Sequence, residues 1–195
     1  MSTAYREEGA IVFSLGFRIE FFAYLPAIGF GFAAMAMMGQ NMGAGNIKRA
    51  KESFRTALIY GFLGAAGLGL LALLFAPSII HVFTRDPTVI EYAKSYMGTV
   101  VLSYGFLAAL MVEASAFQAI GRSWPGFWIF FIRVFLLSVP LSYFLAQVLG
   151  FPIISVWFAI IVGNVISAAV GYVWINHALE NLGPEDVPVH AEHFF

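Results

Sequence analysis

Met38-Gly39-Gln40-Asn41-Met42-Gly43-Ala44-Gly45-Asn46-Ile47-Lys48-Arg49-Ala50-Lys51-Glu52-Ser53-Phe54-Arg55 separates two long apolar runs. One lies before it, about residues 10–38, and one after it, about 56–82. The stretch holds three glycines and four cations: Lys48, Arg49, Lys51 and Arg55. Two apolar helices joined by a glycine-broken basic turn read as a membrane hairpin with its tip in the cytoplasm. Gly43 or Gly45 is expected to take the left-handed conformation that ends the first helix. Asn46 is expected to cap a short basic helix over 47–54, with its cations at the anionic leaflet.

Outward from that turn, composition fixes the class. Of the 195 residues 61% are hydrophobic and 11% charged, with a mean hydropathy of +0.85. A soluble domain carries about 25% charged residues, so this chain cannot cover a water-facing surface. The expectation is an all-α integral membrane protein, a polytopic bundle of about five transmembrane helices. There is no cysteine and hence no disulfide or thiolate chemistry. His81, His177, His190 and His193 show no ligand spacing within an apolar run, so no metal cofactor is expected. The net charge of −1 offers nothing to nucleic acid.

The expected spans are about 10–38, 56–82, 89–120, 127–149 and 152–177, between a polar segment 1–9 and a polar tail 180–195. Pro26 should kink the first span. Ala57, Gly61, Ala65 and Gly69 recur every fourth residue and form a small-residue stripe for close helix packing. Residues 84–88 and 149–152 read as turns on the outer side, with Pro77 near the exit of the second span. Trp124, Trp128, Trp157 and Trp174 lie near expected helix ends, as interfacial anchors do. Ionisable side chains inside a membrane mark function or a partner. Those here are Arg18 and Glu20 on the first span, Glu113 on the third and Arg133 on the fourth. Counted from the turn between their helices, Glu113 and Arg133 fall at equal depth, roughly 10–12 Å in, so contact between them is possible. Basic residues place the 39–55 loop and the C-terminus in the cytoplasm of a multi-pass cell-membrane protein. Five spans then leave the N-terminus outside without a signal peptide, which suggests a fragment.

Several stretches, in order, resemble the multidrug and toxic compound extrusion (MATE) family of transporters. They are Tyr24-Leu25-Pro26 through Gly29, Gly39-Gln40-Asn41, Gly43-Ala44-Gly45, and Phe117-Gln118-Ala119-Ile120-Gly121-Arg122, followed by Arg133 and Pro140. The resemblance covers about residues 9–181 and implies the last five of twelve helices, a partial second lobe. It also implies a secondary transporter rather than an enzyme, one that exports small amphipathic compounds, cationic ones included, in exchange for Na+ or H+. Glu113 and Glu20 are then the candidates for coupling-ion binding. Gln118, Tyr104, Asn164 and Arg133 are the substrate-cavity candidates, and Gly39, Gln40, Asn41, Gly43 and Gly45 form a structural loop. The expected partners are membrane lipid and an absent six-helix lobe or a second copy, and the chain alone is expected to be inactive. A lipid-linked oligosaccharide flippase and a non-transporting subunit or degraded gene product are the rival readings.

Overall fold

In the computed structural model, residues 3–182 are described, except the side chains of residues 3–20, 22, 23 and 83. Eight α-helices run in order: α1 Thr3–Gly43, α2 Ile47–Leu74, α3 Ala76–Phe83, α4 Pro87–Val100, α5 Tyr104–Ala119, α6 Ser123–Phe131, α7 Val139–Tyr143 and α8 Ile154–Glu180. A 3-10 turn, Val101–Ser103, joins α4 to α5. Two π-helical stretches, Ile132–Ser138 and Phe144–Val148, flank α7. The protein is an all-α integral membrane bundle. Among the described residues four helical stretches are long and apolar enough to cross a bilayer: 47–74, 87–119, 123–148 and 154–180. The first expected span lies within α1, part of which falls outside the described side chains.

The decisive turn closes as a glycine-terminated helix end. Gly45 has φ +69°. Its N–H donates to the Met42 carbonyl at 2.9 Å, and that of Asn46 to the Asn41 carbonyl at 2.8 Å. This paired pattern satisfies carbonyls that the end of α1 would otherwise leave open. Gly43 stays helical, so of the two candidates Gly45 takes the left-handed role. Asn46 caps α2, its Oδ1 accepting from the Arg49 N–H at 3.0 Å. Asn41 ties the two helices together by donating to the Met37 carbonyl (2.7 Å) and to Ser53 Oγ (3.2 Å).

The basic segment is not a separate short helix. α2 runs unbroken from Ile47 to Leu74 because nothing between Phe54 and Ala57 breaks a helix. The second span also ends earlier than expected. Pro77 occupies the first turn of α3, where its missing N–H has no intrahelical partner to lose. α1 continues through Pro26. Asp86 caps α4, accepting from Thr88 and Val89 N–H groups, with Pro87 at the first helical position.

α5 is the centre. Its span is mostly buried, whereas few residues of the span 123–148 are fully buried. α5 packs against α1, α2, α6 and α8. The stripe on α2 meets them: Ala57, Gly61, Ala65 and Gly69 are all buried. One of the four tryptophans, Trp157, is buried and is no lipid-facing anchor. It lies edge-on to Tyr96, ring centres 4.9 Å apart, and Trp174 packs on Phe117. Trp124 and Trp128 are exposed at the start of α6. α8 extends to Glu180, and residues 183–195 of the polar tail lie outside the described residues.

Candidate functional site

Polar groups at two places inside the apolar bundle involve its ionisable side chains Glu113 and Arg133. The first is Glu113 on α5, 1% exposed. Its Oε2 has no hydrogen-bond partner. The carboxylate lies over Gly171 of α8, in the space where a Cβ would stand. Any larger residue at 171 would occupy that space. Beside Glu113 opens a cavity of about 430 Å³ between α2, α5 and α8. Leu58, Phe62, Phe106, Ala168 and Tyr172 line it, and Glu113 is its one acidic group. A single buried carboxylate in an apolar wall attracts a cation or retains a proton, because ionisation without a counter-charge is costly there.

The second feature is a hydrogen-bonded chain of four side chains, those of Tyr24, Arg133, Asn164 and Ser103. Arg133, at the start of the first π stretch, donates through Nε to Asn164 Oδ1 on α8. It also donates through Nη1 to the Tyr24 hydroxyl on α1 at 3.3 Å. Asn164 Nδ2 donates to Ser103 Oγ at 2.8 Å, and Ser103 Oγ donates to the Val100 carbonyl at 2.8 Å. The 3-10 turn is thereby tethered to α8, and α8 to Arg133. Close backbone approach makes this possible. At Gly163, next to Asn164, Ser138 Oγ and the Arg133 carbonyl fill the place of a Cβ.

Glu113 and Arg133 do not pair. Gly126 of α6 packs on the backbone of Ala114, not level with Gly121. Arg133, seven residues beyond Gly126, therefore sits about 10 Å further along the bundle than Glu113. The same offset shows on α8, where Arg133 reaches Asn164 and Glu113 reaches Gly171, two turns apart. Counting depth from the two ends of the turn ignored the slant of one helix on the other.

The remaining candidates scatter. Gln118 is exposed near the end of α5 and lies away from the cavity. Tyr104 is buried where α5 begins, against Gly69 of α2. Glu20 lies on α1, its side chain outside the described residues. In the loop, Asn41 and Gly45 make the contacts given above, while Gly39 and Gly43 have open space beside them. Ser103 joins the Arg133 chain without having been singled out in the sequence, and Tyr24, quoted there only as part of the resemblance, was not among the site candidates. A lone serine in an apolar run carries no periodic signal that could have marked it.

The comparisons agree with this architecture. The MatE family model matches residues 12–144. The chain is 25% identical over 147 residues to a probable multidrug resistance protein NorM of Thermotoga maritima, covering 75% of this chain and 32% of that protein. It is 28% identical over 130 residues to a FAD transporter of Shewanella oneidensis, covering 67% of this chain and 29% of that one. Among solved structures, the MATE transporter ClbM in complex with Rb+ superposes with a TM-score of 0.81 at 28% identity, over 91% of this chain and 40% of that one. The chain thus spans about a third of the length of the curated relatives it matches. The family match extends from α1 through α7, and the chain belongs to the MatE family.

Proposed function

We propose that this chain forms part of a cation-coupled efflux transporter, with Glu113 binding the coupling Na+ or H+. One observation carries the reading: Glu113 is buried at an apolar cavity with a carboxylate oxygen that has no hydrogen-bond partner. Neutralising that carboxylate, by a proton or by Na+, changes the charge held between α5 and α8. A two-state rearrangement of lobes can be biased by such a change, as alternating access requires. The chain supplies one wall of the transport path. A six-helix lobe or a second copy supplies the other, and small amphipathic compounds pass between them. The basic turn after α1, together with Arg122, faces the cytoplasm and brings the end of α8 to that side.

The test is thermal unfolding of the purified chain in detergent, in NaCl against N-methylglucamine chloride at equal ionic strength and across pH. Na+ or acid should raise the melting temperature of the wild type and leave Glu113→Gln unmoved. Equal responses in both proteins would rule out Glu113 as the ion site and leave Glu20 as the candidate acid. The 195-residue chain reconstituted alone is expected to show no ion-driven dye efflux. Efflux by a demonstrated monomer would contradict the need for a second lobe.

A further inference from the structure

Arg133 stands ten residues into its span, about 15 Å along a helix that must cross roughly 30 Å of hydrocarbon. A cation at that depth is normally matched by an acid or a water-filled path. Among the described residues none of its contacts is acidic: Asn164 Oδ1 and the Tyr24 hydroxyl are both neutral. A guanidinium has five N–H donors, and these bonds use two. Arg133 is only partly buried, so the residue is not sealed inside the bundle. Its orientation is also fixed in advance. Asn164 is itself held by Ser103, and Ser103 by a backbone carbonyl. Arg133 is the second residue of a π-helical stretch, a rare local geometry that recurs at functional sites. An oriented guanidinium with unused donors and, among the described residues, no acidic partner suits a planar oxyanion held through two N–H groups.

We propose that Arg133, held by Asn164 and Tyr24, is an anion-binding subsite within the membrane that takes the carboxylate or phosphate of an amphipathic ligand. The inference deepens the efflux reading by naming a charge class for cargo, and it places that class about two helical turns from Glu113. The two sites would let one path hold an anionic head and a coupling cation at the same time.

The test measures binding without any ion gradient, so that failure of transport and failure of this subsite are read separately. The full chain is placed in phosphatidylcholine nanodiscs and titrated with decyl phosphate, decanoate and decyltrimethylammonium. The wild type should bind the two anions more tightly than the ammonium compound. Arg133→Gln should bind decyl phosphate about tenfold more weakly, as expected for losing one charge-assisted contact, with decyltrimethylammonium unchanged. Arg133→Lys keeps the charge without the fork, so it should lose part of the affinity. It carries the test if Arg133→Gln does not fold. Adding phosphatidylglycerol separates two sources of the same chemistry. Suppressed decyl phosphate binding assigns the subsite to a lipid headgroup, and unchanged binding assigns it to a small-molecule cargo. Equal anion affinity in wild type and Arg133→Lys, or a wild type that prefers the ammonium compound, would overturn the proposal. So would strong thermodynamic coupling between Arg133→Gln and Glu20→Gln, since Glu20 stands one helical turn before Tyr24 on α1 and would then be the missing counter-charge.

Discussion

A methyl group added at Gly171 would fall on the Glu113 carboxylate and within 3.1 Å of Ile129 Cδ1. Gly171→Ala should therefore lower stability by about 1–3 kcal/mol, the usual cost of overpacking. Glu113→Ala in the same chain should recover much of that loss, because it vacates the space. Melting temperatures of the two single variants and the double variant check this, and simple additivity would mean the two residues do not touch. Gly45→Val should cost about 1–2 kcal/mol, since Gly45 is left-handed. Gly43→Val, in a helix with open space beside it, should cost much less, and a larger loss at 43 would contradict the turn described above. At this scale the sequence was partly legible. Glu113, Arg133 and Asn164 stood out as polar groups in apolar runs, and two of them do bond to each other. Their pairing was not legible. It depends on Gly126 seating against Ala114, a contact between helices that no spacing along one helix encodes.

Helix α2 carries its information on one face. A Cβ at Gly69 would come within 3.0 Å of Tyr104 and Val101, whereas Gly67 faces open space. Gly69→Leu should reduce folded yield and melting temperature by the equivalent of about 1–3 kcal/mol, and Gly67→Leu should leave both nearly unchanged. Similar losses at both positions would mean that the stripe is not what brings α2 onto α5. The stripe was readable because small residues every fourth position can only mark one helical face. The Asn46 cap was readable for a similar reason, since it sits where a helix needs a side-chain acceptor, whereas Asp86 was read only as part of a turn and proves to cap α4. The π stretches around α7 were not. They differ from an α-helix by one residue in the hydrogen-bond step, and in a run as uniformly apolar as 127–149 no change of period is visible. Trp157 misled for want of the same information. Its place near a helix end suggested an interface, but the helix end is covered by α4.

The whole molecule has no cysteine, so single cysteines report position against a silent background. Lys48→Cys at the basic turn and Thr88→Cys at the start of α4 mark opposite ends of the bundle. In intact cells a membrane-impermeant maleimide should label Thr88→Cys at once and Lys48→Cys only after permeabilisation. Labelling of both from outside, or the reverse order, would refute the orientation proposed. The membrane class was the most legible property of all, because no folding arrangement can hide so many apolar side chains from water. The number and ends of the spans were less so, since a helix interrupted by a 3-10 turn and one continued through a proline look alike in hydropathy. One consequence of the central place of α5 concerns time. A ribosome releases α1 and α2 before α5, and α6 and α8 after it. The α1–α2 hairpin and α5 can therefore associate while α6 and α8 are still being made. During that interval Glu113 has no Gly171 to lie against, and the nascent bundle carries a bare acid on its unfinished side. The arrival of α8 closes that side, so a helix made after α5 is the one that completes the site.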